Sequence, residues 1–442
     1  MPSDTLAARG ISRRRFIGSS AAVAATAGVT MTVGSRYAFA SPEVPSQGDV
    51  IVMVFLRGGA DGLSLVAPWM MPTYQALRPT IRIKDAAEFT DPTGVAALPL
   101  VEGGNVSTFP LTGTLAMHPG MAALHGGAWT DGHLAMIHAA GMPKSESDTR
   151  SHFESETNWE FGSASYSTTN GFLGRFLQGQ PGVDRLPGIG RGSNLPRSLE
   201  GPVGSLSMNS ISSFNVGGYA NNTQARAALA KFYEGGTSDL LMQTGANTIS
   251  AIGSVTGINW AAAQYLPQNG AVYGADDLAR NLKETAMLIR GNLGLRVVAI
   301  DFGGWDTHDT MGAPEDPASW FRNRATTLAN ALQAFYTDLG SAMDEVTLFT
   351  VSEFGRTIDE NGSGGTDHGR GSVMFALGQK IRGGVYGSFV PSITDGPEGD
   401  LAVLNDYRRP VSEILSVRGG ASSLSTIFPT YSQASPLGLC VA

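Results

Sequence analysis

The feature that most constrains this chain is a series of short apolar runs, three of which open into loops rich in glycine and charge. Asp49–Leu56 (DVIVMVFL), Leu295–Phe302 (LRVVAIDF), Val346–Val351 (VTLFTV) and Val373–Leu377 (VMFAL) read as strands. A strand covered on one face alternates apolar and polar residues. A strand apolar almost throughout is covered on both, as in a parallel sheet flanked by helices. Helical patterns lie between the runs. Asp276–Arg290 places Leu278, Leu282 and Ile289 on one side, and Trp320–Leu339 carries a stripe of Leu328, Leu332, Phe335 and Leu339. A helix is also read at Pro119–Ala128, a strand at Leu134–Ala139, and a helix from Ser151 to Phe161. This alternation predicts an α/β fold with a mainly parallel central sheet. Residues 180–275 are rich in Gly, Ser, Asn and Pro, and read as an irregular insert or cap within one domain spanning 41–442.

Residues 1–40 read as a targeting segment. Ser12-Arg13-Arg14-Arg15-Phe16-Ile17 fits the twin-arginine pattern, Phe16–Ser35 carries no charge, and Ala38-Phe39-Ala40 has the small-x-small form of a signal-peptidase site. The stretch is poor in Leu and Ile, so it predicts no stable membrane anchor. The alternative is a basic tail with a weak transmembrane helix. The expectation is passage through the twin-arginine translocase, cleavage after Ala40, and a periplasmic or secreted mature chain. Removing five Arg and one Asp with this segment moves the net charge from −8 to −12. So acidic a chain argues against nucleic acid and anionic membranes as partners. With Cys440 as its one cysteine, it forms no internal disulfide.

The loops after the runs hold the candidate chemistry. The first contains Asp61, the second Asp306 and His308, the third Glu353 and Arg356; a fourth, before Val373, holds Asp367, His368 and Arg370. Parallel strands bring such loops to one edge. Mixed carboxylates and imidazoles suit zinc, manganese or iron, whereas carboxylates alone suit magnesium or calcium. Structural readings stand beside these. Asp61 could cap a helix, Asp306 could stabilise a turn, and Glu353 could pair with Arg356. A second cluster, Gly141–Glu154, enters a helix. Ser151 there is either a nucleophile placed at a helix N-terminus, with Thr149 the other choice, or half of a capping box with Glu154. Arg150, Arg356 and Arg370 are candidates to bind an anionic substrate, with Lys144 near them. His118, His125, His133 and His138 read as structural. No P-loop, HExxH, GxSxG or strand-following GxGxxG is present.

Taken in order, the leader and the segments LRGGADGLSLVAP, HPGMAAL, DTRSHFESETNWEFG, GGWDTHD, SEFGRT and GGTDHGRGSVMFALG resemble the bacterial domain-of-unknown-function family 1501. That family is grouped with the alkaline phosphatase and sulfatase superfamily. The resemblance implies an alkaline-phosphatase-like α/β/α sandwich with one or two divalent ions (zinc, manganese, magnesium or calcium) at the strand ends. It implies Asp306, His308 and His368 on one ion, and Asp61 and Glu353 on the other. Phe354 stands where that second set would have a histidine, and Asp306-x-His308 is shorter than the usual spacing. The expected activity is hydrolysis of phosphate or sulfate esters. The alternative is a non-catalytic binding or scaffolding protein on a degenerate hydrolase fold, with an exported protein as partner.

Overall fold

In the computed structural model, residues 49–88, 96–100, 115–165, 167–180, 186–212, 214, 222–234, 240–257, 265–388 and 399–442 are described. The targeting segment expected at 1–40 lies outside them. The first apolar run forms β1 (Val50–Leu56), buried from Ile51 onward. Val52, Val54 and Leu56 enter one apolar core, while Ile51, Met53 and Phe55 enter another on the opposite face. This double burial is why the run does not alternate.

Eight further strands join β1 among the described residues: β2 (Leu134–Gly141), β3 (Gly188–Arg191), β4 (Ser205–Met208), β5 (Val297–Phe302), β6 (Val346–Val351), β7 (Ser372–Leu377), β8 (Gly384–Tyr386) and β9 (Asn405–Asp406). Their order is β8-β2-β7-β6-β1-β5-β3-β4, with β9 also beside β2. β1 pairs in parallel with both β5 and β6. β7 runs antiparallel to β2 and to β6; the other pairings are parallel.

The helices among the described residues include α1 (His152–Phe161), α2 (Phe172–Gln178), α3 (Asn222–Tyr233), α4 (Leu240–Gly257), α5 (Asp277–Arg290), α6 (Trp320–Leu339) and α7 (Arg408–Glu413). Leu278, Leu282 and Leu288 of α5 and Leu328, Leu332 and Phe335 of α6 fill the core on the Val52 side. Trp159 of α1, Phe172 and Phe176 of α2 and Val411 of α7 fill the Met53 side. The result is three layers, helices on each face of one mainly parallel sheet. Side-chain caps set two helix starts: Asp276 accepts from Ala279 N at 2.9 Å for α5, and Ser319 accepts from Arg322 N at 3.3 Å for α6.

Two details differ from the sequence expectation. The run at Val373–Leu377, read as one more member of a mainly parallel set, is reversed. Ser352–Gly371, which leads into it, contains no helix; without a crossover the strand returns beside β6 in the opposite direction. Within 180–275, β3 and β4 are members of the main sheet. No helix among the described residues is long and apolar enough to cross a membrane.

Candidate metal centre

Because β1, β2, β5 and β6 point one way and β7 the other, the loops leaving the first four and the loop entering β7 meet at one rim of the sheet. Close backbone packing makes this possible. Gly58, after β1, has φ +116°, and a Cβ there would lie 2.5 Å from the Asp306 backbone N. Gly365 and Gly369 are pressed in the same way against the backbone of His308 and Arg356. Trp305, fully buried, packs edge-on against Phe302 and Phe321 at 5.7 Å each. With Trp305 turned into the core, its neighbour Asp306 is left at the rim.

Arg356 stitches these loops together. Its Nε donates to Gly59 O at 2.7 Å, Nη1 to Thr366 O at 3.1 Å, and Nη2 to Gly58 O, to Trp305 O at 3.1 Å and to Asp306 Oδ1 at 2.6 Å. Expected as a substrate ligand, it is instead a buried clasp. Arg370 is held between Asp148 and Asp400, and Arg150 Nη1 donates to His368 O at 2.8 Å. Glu353 does not pair with Arg356; its Oε1 accepts from the Gly58 N–H at 2.7 Å and faces His152 Nδ1 at 2.8 Å.

Three predicted ligands converge. Asp306 Oδ1 lies 3.1 Å from His308 Nε2 and 3.4 Å from His368 Nε2, and the two ring nitrogens are 2.9 Å apart. The outer ring nitrogens fix the tautomers. His308 Nδ1 faces Asp367 Oδ1 at 2.7 Å, and His368 Nδ1 faces the Arg150 carbonyl at 2.9 Å. Carboxylates and carbonyls only accept, so both Nδ1 atoms carry a proton, and in the neutral rings both Nε2 atoms present lone pairs. Asp367 is therefore an orienting carboxylate behind His308.

The charges fit this picture. Burial works to raise the Asp306 pKa, but the hydrogen bond and charge of Arg356, with His308 and His152 nearby, hold it below the ordinary carboxylate range. The His308 hydrogen bond holds Asp367 low as well. Burial, then the Arg356 charge, depresses His368. His152 is raised, chiefly by its hydrogen bond to Glu353.

Asp61 is engaged elsewhere. Both its oxygens bond Arg78 Nη1, at 3.1 and 2.9 Å, and it also accepts from Ser64 N at 3.0 Å and the Thr366 hydroxyl at 3.2 Å. It caps the short helix Gly62–Leu65, the structural alternative named above. Ser151 occupies the N-cap position of α1, but its side chain forms no cap bond. Glu154 instead accepts from the Thr149 hydroxyl at 2.6 Å, so the capping box does not form. Sequence reasoning missed His152. The available signal was its place in the first turn of a helix that follows a strand of the same rim. His152 takes part in two ligand groups whose atoms lie within 4.8 Å of one another, with Asp306 and His368, and with Glu156 and Glu353.

Comparison with known proteins adds the following. Residues 49–396 match the family described as "Protein of unknown function (DUF1501)". No curated protein matches the chain. Among solved structures, the chain is similar to the C-terminal periplasmic domain of EptC from Escherichia coli in complex with Zn, at 9% identity and TM-score 0.33, over 77% of this chain and 76% of that one. It is similar to a protein in the alkaline phosphatase superfamily from Vibrio parahaemolyticus, at 9% identity and TM-score 0.29, over 85% and 72%. It is also similar to the alkaline phosphatase of the Antarctic bacterium TAB5, at 11% identity and TM-score 0.27, over 77% and 95%.

Proposed function

The chain belongs to the DUF1501 family of proteins of unknown function, and from that premise we propose that it is an exported, metal-dependent hydrolase of phosphate or sulfate esters. One observation carries the reading. Three potential ligand atoms, Asp306 Oδ1, His308 Nε2 and His368 Nε2, face one another at 2.9 to 3.4 Å. Ligands on tetrahedral zinc, at metal bonds of about 2.0–2.1 Å, stand about 3.3 Å apart. The donor set of one carboxylate and two neutral imidazoles favours zinc or manganese over magnesium or calcium. The side chains of Asp306 and His308 remain 47% and 44% exposed, which leaves a side open to a reactant, as catalytic sites require.

When bound, the cation supplies Lewis acidity toward an ester oxygen. Asp306, His308 and His368 hold it, and Asp367 fixes the His308 tautomer. Ser151, at the N-terminus of the ten-residue α1, offers a hydroxyl where backbone N–H groups and the helix dipole favour an anion. Elemental analysis of purified protein should find bound metal that Asp306→Ala and His368→Ala lose; full retention in both variants would refute the centre. A panel of chromogenic phosphate and sulfate esters then tests turnover.

The second reading is a binding or scaffolding protein, with an exported protein as partner. Phe354 favours it, since its ring lies 4.8 Å from that of His152 and 4.7 Å from that of His368, where the resemblance would place a histidine for a second ion. Metal-loaded, folded protein that turns over no ester would decide for this reading. Export is proposed to use Arg13 and Arg14. Replacing both by Lys should leave the protein in the cytoplasm, as cell fractionation would show; an unchanged periplasmic yield counts against the twin-arginine route.

A further inference from the structure

α1 opens on His152, whose ring is aimed into the rim. Its Nδ1 lies 2.8 Å from Glu353 Oε1, and the Glu353 side chain is fully buried. Glu353 is itself fixed, accepting from Gly58 N at 2.7 Å and, through Oε2, from the Ser352 hydroxyl at 3.2 Å. A carboxylate only accepts, so this contact places a proton on Nδ1, and in the neutral ring Nε2 then presents its lone pair inward. That Nε2 is buried and has no hydrogen-bond partner. It sits 3.5 Å from Asp306 Oδ2, and its ring stands edge-on to that of His368 at 4.5 Å.

A buried ring nitrogen with no partner is unfavourable, and a cation shared with Asp306 and His368 would satisfy it. The arrangement of ring, outer N–H and buried carboxylate is the one that metal-binding histidines use, with the carboxylate setting both tautomer and ring direction. We propose that His152 is a fourth protein ligand of the metal centre, through Nε2, with Glu353 as its orienting carboxylate. This rests on the Asp306–His308–His368 reading and extends it, because it ties α1, and the Ser151 hydroxyl beside it, to the ion. Three imidazoles and one carboxylate shift the fitting ions further toward zinc.

The test is a titration of the metal-stripped protein with Zn2+, followed by NMR of selectively 15N-labelled histidine; the chain has seven His to assign. Three Nε2 signals, from His152, His308 and His368, should move to metal-bound positions. His152→Ala should remove one of the three. It should also weaken Zn2+ binding by more than the about 10–100-fold that loss of a supporting carboxylate costs, which is the effect expected for Glu353→Gln. His152→Asn, checked for intact thermal unfolding, guards against a folding defect in the Ala variant. If only His308 and His368 respond, and both His152 variants bind Zn2+ as tightly as the parent, His152 is not a ligand and the three-residue centre stands. If no histidine responds, the centre itself fails with it.

Discussion

Asp61 and Asp306 both follow a strand of the central sheet within a glycine-rich loop, yet they have different partners. Asp61 is 1% exposed and meets Arg78, which is fully buried and also donates to the carbonyls of Ile358 and Thr357 at 2.7 Å each. Asp306 keeps an oxygen toward solvent and two imidazoles. The difference turns on Arg78, 17 positions after Asp61 and outside any strand, so the motif around Asp61 gave no hint of it. Removing one member of a buried ion pair strands the other charge. Asp61→Ala should therefore cost about 3–5 kcal/mol in denaturant unfolding while leaving the metal content of the folded protein unchanged. Loss of metal without loss of stability would make Asp61 a ligand after all. His152 was hidden for a related reason. Ser151 and Glu154 had a sufficient backbone explanation as a capping box, and that drew attention from the residue between them that faces the site.

At the scale of elements, the apolar runs were legible because burial on both faces leaves no polar position. Val346–Val351 and Trp320–Leu339 run between the same residues in sequence and in structure. Strand direction was not legible, since an apolar run records that a strand is covered and not which way it points; β7 is the case in hand. The rim loops depend on glycine more than their composition suggested. At Gly58 the positive φ and the 2.5 Å approach to Asp306 N leave no room for a methyl group. Gly58→Ala should push the Asp306 loop outward. The expected result is a protein that still folds, with lower thermal stability and metal affinity reduced at least about tenfold, as for other changes that disturb ligand support. Unaltered metal affinity would show that the loop tolerates the shift.

Across the whole molecule, buried imidazoles set the response to acid. Burial, with Arg322 nearby, pushes His118 down to about 3, and burial pushes His138 down to about 4. Both are neutral in the fold: His118 Nδ1 accepts from Gly120 N at 3.0 Å, and His138 Nδ1 accepts from Ala139 N at 2.9 Å. The unfolded chain protonates these two near pH 6.5, whereas the folded chain does not until about pH 3–4. Their contribution is thus complete above pH 6.5 and is lost as pH falls toward 4. The loss from the pair is about 2.7 kcal/mol per pH unit near pH 5. His152, raised by Glu353, acts in the opposite direction. Denaturant midpoints should drop between pH 7 and pH 5; a flat profile would mean that the two buried rings do not stay neutral.

The reversal of β7 also bears on how the protein matures. Asp306 and His308 sit where the chain leaves the sheet, and His368 where it comes back, just before Ser372. A nascent chain that has reached Val351 holds only part of the centre, and the rest is delivered when β7 inserts between β6 and β2. In the proposed centre, cation capture would then be a late event that reports completion of the sheet, and a truncated or stalled polypeptide would differ from a finished one in failing to retain the ion.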